Sequence, residues 1–115
     1  MKPFEIYSWQ PPGWPEPHPC VVISHPDRAA NKPDVEVVLC STQRAKRSAE
    51  SHEVILDAAD GLDWPTLCKC DLVYAVPRAK LTERRGEVTE ARKFQIIQRI
   101  IASHGWGEVA MIHRP

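Results

Sequence analysis

The stretch Thr66-Leu67-Cys68-Lys69-Cys70-Asp71-Leu72-Val73-Tyr74-Ala75-Val76-Pro77 decides the fold. It reads as the longest strand of the chain, running from Thr66 or Leu67 to Val76 and stopped by Pro77. Side chains alternate across an extended strand, so Cys68 and Cys70 share one face while Lys69 and Asp71 share the other. Further along, the apolar period changes from that of a strand to that of a helix. Ala91, Phe94, Ile97 and Ile101 recur at helical spacing, and Ile100 widens their stripe. Arg92, Lys93, Gln95, Gln98 and Arg99 fall on the other side. Thr89 suits an N-cap, Glu90 the first turn and Gly105 the position after the last turn. The spacing predicts an amphipathic helix over 89–104, its isoleucines laid on a sheet.

Towards the N-terminus the signals are short and strand-like: Glu5–Trp9, Cys20–Ser24, Val35–Thr42 and His52–Asp57. Residues 10–19 hold five of the eleven prolines. Proline lacks an amide donor and fixes φ, so this loop is stiff and cannot pair as a central strand. His25-Pro26-Asp27, Asn31–Asp34 and Ala58–Pro65 read as strand ends and turns, and Gln43–Ser51 as a polar segment. Five or more strands followed by one helix predict a mainly β, α+β domain: a small antiparallel barrel or strongly bent sheet with the helix against it. At 115 residues the chain fits one domain spanning 1–115. Residues 106–115 form a short extension whose Val109–Ile112 run could add a strand.

No apolar run approaches the ~20 residues of a membrane span. The first residues lack the apolar region of a secretion signal. The expectation is a cytoplasmic protein with free core cysteines, since the spacings of a zinc site are absent. Fifteen basic residues balance fifteen acidic ones, yet residues 78–99 hold seven Lys/Arg against three Asp/Glu. A neutral total thus contains one basic region able to face a polyanion, or simply a solvated helix face. There is no phosphate-binding glycine loop, nucleophile elbow or His-Glu-x-x-His motif.

The order of the pieces resembles the MazF/PemK/Kid family of toxin endoribonucleases from type II toxin–antitoxin systems. Phe4-Glu5-Ile6-Tyr7 is similar to the family's opening Gly-Asp-Ile-Trp/Tyr strand, and Pro17–Ser24 to its Arg-Pro-x-Leu-Val-Leu-Ser strand. Val37–Thr42 resembles the strand ending in Pro-Ile-Thr-Ser, and Lys69–Tyr74 resembles Arg-Cys-Asp-Gln-x-Arg. Arg85–Thr89 is similar to the Gly-x-Leu-Ser/Thr that leads into the terminal helix. The resemblance runs from about residue 4 to 104.

It implies an SH3-like barrel, usually a homodimer, that cuts single-stranded RNA through 2′-OH attack without a metal or other cofactor, and that an antitoxin protein restrains. Asp71 stands where the family has its catalytic aspartate and is the expected base. Lys69 replaces an arginine as the cation for phosphate, Thr42 matches a threonine that bonds phosphate or ribose, and His18 replaces an arginine as a possible acid or base. Tyr74 replaces a second arginine, and Leu72 a glutamine. Arg78, Lys80, Arg84 and Arg85 are the expected RNA-binding cations. Two alternatives follow from the departures: a non-catalytic member binding nucleic acid or a protein, and the gyrase-poison branch of the superfamily, for which Trp106-Gly107 is the only pointer.

Overall fold

The computed structural model describes residues 1–42 and 48–107. Most of the polar segment after Thr42 and the proposed Val109–Ile112 strand therefore lie outside the described residues. Six strands, β1 (Glu5–Trp9), β2 (His18–Val22), β3 (Asp34–Thr42), β4 (Glu53–Leu56), β5 (Thr66–Pro77) and β6 (Arg84–Glu87), form one curled antiparallel sheet. Its order is β4-β5-β3-β2-β1-β6. Two helices join it: α1 (Pro26–Asn31), and α2 (Glu90–Ser103), which packs on β4 and β5. No described helix is long and apolar enough to cross a membrane.

The sheet separates two cores. On the α2 side, Ile6, Val21, Val38, Cys40, Val54, Leu56, Cys68 and Cys70 pack with Ile96 of the helix. On the other side, Trp9, Cys20, Val22, Val35, Val37, Leu39 and Val76 close over Ala29 of α1. The alternation expected in β5 holds, with Cys68 and Cys70 fully buried and Lys69 and Asp71 exposed. Burial pushes the Cys20 thiol up to about 12. Cys68, hydrogen-bonded to Cys40, and Cys70, hydrogen-bonded to Cys68, are raised as well. Such thiols stay protonated, which suits packing rather than reaction.

Three elements differ from the sequence reading. β2 starts at His18 rather than Cys20, so His18 and Pro19, read as the end of an unpaired loop, lie opposite Trp9 and Ser8 of β1. Residues taken as the end of a strand start α1: Pro26 occupies the first turn, where its missing amide costs nothing, and His25 Nδ1 accepts from the Asp27 amide at 3.1 Å. Six residues are too few for a helical period to show. Arg84–Glu87, not among the strands read from the sequence, is β6, an edge strand whose Gly86 pairs with Ile6.

The stripe assigned to α2 is corrected too. Ile96 is fully buried, whereas Phe94 and Ile97 are exposed. The helix carries apolar residues on two sides, and the sheet selects the one with Ile96 and Ile100. Thr89 precedes α2, but its hydroxyl makes no capping bond. Its amide donates instead to Asp60 Oδ1 at 3.0 Å.

Asp60 is a hub for this end of the molecule. Its buried carboxylate also accepts the Asp57 amide at 3.0 Å and Arg92 Nη1 at 2.5 Å, and Arg92 reaches Asp57 at 2.6 Å. The short 3₁₀ turn Ala58–Asp60 is thereby locked to the first turns of α2. The Arg92 hydrogen bonds, with help from the Ala59 amide, hold the Asp57 carboxyl down at about 2 from its ordinary 3.8. A depressed carboxyl contributes stability that is complete above its unfolded value and disappears as pH falls through the folded one. Asp57→Asn is therefore expected to flatten the acid-denaturation curve between about pH 4 and pH 2. Thermal melts of both proteins across that range check it, and parallel curves would exclude the pair as a source of acid sensitivity.

Candidate active site

The residues singled out in β5 owe their exposure to a break in the ladder. β3 advances from Val38 to Cys40 while β5 runs from Val73 to Cys68, so Lys69–Leu72 arch out of the β3 pairing. Such a bulge re-aims side chains that a regular strand would leave flat on the sheet. The arch borders a cleft of about 250 Å³. Lys69, Asp71, Leu72, Tyr74, Ser41 and His52 line it, together with Leu39 and with Trp14 of the proline loop.

Asp71 is half exposed, and its Oδ1 lies 3.9 Å from His52 Nε2. His52 in turn is 3.7 Å from Glu50 Oε2. Its carbonyl accepts the Cys70 amide at 2.9 Å, which ties its backbone to the residue before Asp71. Sequence reasoning placed His52 at the start of a strand and gave it no role. The signal was the pairing of β4 with β5, which brings Glu53 opposite Lys69, and no local motif reveals a register. One ligand atom from each of Glu50, His52 and Glu53 lies within 4.8 Å of the others. Glu53 Oε1 is already engaged by the Glu50 amide at 2.9 Å.

The other expected residues are placed differently. Thr42 pairs with Thr66, beside Leu56 of the α2-side core, and its Oγ1 accepts Trp64 Nε1 at 3.1 Å. Alternation therefore gives the cleft Ser41, not Thr42. His18 begins β2 and meets the Trp14 ring edge-on at 4.9 Å, outside the cleft lining. Lys69 and Asp71 share the lining of one cleft, while Thr42 and His18 each adjoin a lining residue without lining it themselves.

The basic stretch is mostly engaged with protein. Arg78 donates to the carbonyls of Ala29 at 3.2 Å and Ala30 at 2.5 Å, the C-terminal end of α1. Arg84 pairs with Glu5 at 2.7 Å. Arg85 is 3.8 Å from Asp63. Lys80 has no ion-pair partner among the described residues, and it borders the groove walled by Trp9, Pro11, Trp14 and Tyr74 that adjoins the cleft.

The sequence profile of the PemK-like, MazF-like toxins of type II toxin–antitoxin systems matches residues 3–104. The chain belongs to this family. Solved structures give the PemK/MazF fold independently. A Mycobacterial structure described as an endoribonuclease in complex with its cognate antitoxin superposes with a TM-score of 0.77 at 21% identity, covering 91% of this chain and 95% of that one. The Mycobacterium tuberculosis toxin MazF-mt6 gives 0.74 at 19% identity, covering 88% and 96%. MazE-MazF from Deinococcus radiodurans gives 0.68 at 17% identity, covering 91% and 95%. At such identities the likeness fixes the fold alone. No curated protein matches the sequence significantly. PemK/MazF membership thus rests on the profile, and the chemistry of this member on its own cleft.

Proposed function

We propose that this protein is an endoribonuclease that cleaves single-stranded RNA by 2′-OH attack, with protein groups rather than a metal supplying the chemistry. The observation that carries the reading is the arch of β5, which presents Asp71 and Lys69 side by side in one cleft with the Ser41 hydroxyl. The Asp71 carboxylate takes the proton of the ribose 2′-OH, and the 2′-oxygen attacks the adjacent phosphorus. The bond to the 5′-oxygen breaks and that oxygen leaves with a proton, giving a 2′,3′-cyclic phosphate and a 5′-hydroxyl. Lys69 offers a cation to the phosphorane oxygens, as a point charge rather than a bidentate fork. His18 and Thr42 serve as flanking contacts, and the exposed Trp14 offers a face on which an unpaired base can stack.

A long unstructured RNA incubated with the protein in EDTA, followed by end mapping, tests the reading. Site-selective cuts ending in cyclic phosphate support it. A folded protein that leaves the RNA intact favours the non-catalytic alternative.

RNA affinity separates the basic residues. Lys80→Ala is expected to weaken RNA binding and to lower the slope of log K against log salt by about 0.7, the value for one phosphate contact on a single strand. Arg84→Ala is expected to lower thermal stability instead, because it takes the cation from Oε2 of the nearly buried Glu5 carboxylate and leaves only the Lys2 amide and the Tyr7 hydroxyl, both on Oε1. Filter binding across salt concentrations checks the first, and an unchanged slope removes Lys80 from the RNA surface.

An antitoxin polypeptide and a homodimer belong to the same reading. The exposed Leu72, Phe94 and Ile97 are apolar surface that a protein partner would cover.

A further inference from the structure

Cleavage by 2′-OH attack moves two protons, one from the nucleophile and one to the leaving 5′-oxygen. A carboxylate can take the first but has none to give. The cleft holds a single imidazole among its lining residues, that of His52. Resting on the ribonuclease reading above, we propose that His52 is the general acid, delivering its Nε2 proton to the departing 5′-oxygen while Asp71 acts as base.

Geometry carries the assignment. His52 Nε2 and Asp71 Oδ1 are 3.9 Å apart, too far for a direct hydrogen bond and near enough for both to reach one phosphodiester. Both side chains are open to the cleft, with 28% of His52 and 48% of Asp71 exposed. The Cys70–His52 backbone bond makes their spacing a property of the β4–β5 ladder rather than of two loops. Lys69 and Tyr74 also bear protons in the cleft, but an imidazole is the side chain that both holds and releases a proton near neutral pH. His18, a possible acid or base in the sequence reading, meets Trp14 edge-on and lies outside the lining. Glu50 and Asp71 are the charged groups nearest Nε2.

The step balances. The 2′-proton ends on Asp71, the His52 proton ends on the 5′-hydroxyl, and solvent returns both side chains to their starting states.

The test uses oligonucleotides carrying a single ribonucleotide at a mapped cut site, with either the natural 5′-oxygen or a bridging 5′-sulfur as leaving atom. A thiolate leaves without being protonated, so it has no need of the acid. His52→Gln is expected to lower kcat on the oxygen substrate about 100-fold or more with KM little changed. On the sulfur substrate it should cut at close to the wild-type rate. Asp71→Asn should be slow on both. Equal losses on both substrates would make His52 a structural or positioning residue and overturn the proposal, as would wild-type cleavage by His52→Gln on the oxygen substrate. Wild-type protein that cuts neither substrate overturns the ribonuclease reading itself, and the role of His52 with it. Circular-dichroism melts of each variant confirm the fold.

Discussion

Asp71→Asn is expected to lower cleavage of single-stranded RNA by about 10²–10⁴-fold, the range for removing a positioned general base. The carboxamide keeps the shape of the side chain but cannot accept the 2′-proton at neutral pH. Asp71 is half exposed, on an arch that has left the β3 ladder, and among the described residues its ion-pair contact is the long one to His52. Losing its charge therefore removes nothing that holds the sheet together, and the melting temperature should stay near the wild-type value. RNA affinity should hold or rise slightly, since one negative charge leaves a site for a polyanion. The expected signature is a fall in kcat at nearly constant KM, measured under single turnover on an RNA whose cut sites have been mapped. A variant that cuts as fast as wild type at the same sites would take Asp71 out of the chemistry. A variant that loses binding and cleavage together would make it a binding residue.

Legibility in the sequence followed the range of the interactions involved. The Cys68–Asp71 alternation and the reach of β5 are local consequences of strand geometry, and both appear where expected. The strand of Val35–Thr42, the helix within 89–104 and Gly105 in a left-handed turn are equally local. What escaped is set by tertiary partners. Phe94 and Ile97 have the same helical spacing as a core stripe, and only the docking of α2 on β4 and β5 decides that Ile96 goes in and they stay out. Arg92, read as part of a solvated face, is the cation of the Asp57–Asp60 hub. His52 has an unremarkable local sequence, and its nearness to Asp71 exists only once β4 and β5 are in register. Ser41 and Thr42 are neighbours of similar chemistry. Resemblance favoured the threonine, while alternation along β3 gives the cleft the serine.

Gly86→Ala is expected to destabilise the fold by more than about 3 kcal/mol, a large share of the ~5–15 kcal/mol that holds a small domain together. Gly86 crosses the turn that ends in Gly61, and a methyl group on it would stand 2.0 Å from the Asp60 carbonyl oxygen. A contact that short requires one backbone to move. β6 is fixed by its pairing with Ile6. The turn is fixed by the Asp60 carboxylate, which binds the Asp57 amide, the Thr89 amide and Arg92. Relief of the clash must therefore loosen either the edge of the sheet or the anchor of α2, and the overpacking cost falls on a part of the structure with little slack. Gly105→Ala separates this from the cost of losing a glycine as such. Gly105 has φ of +73° and, its chain neighbours aside, no described residue has an atom within 4 Å of an added methyl, so its substitution should cost only the about 1–2 kcal/mol of a left-handed alanine. Urea denaturation of the two variants reads the difference as a shift in midpoint at constant slope. Equal midpoints would mean that the crossing of β6 over the Asp60–Gly61 turn is not closely packed, and that the hub could be displaced without releasing α2.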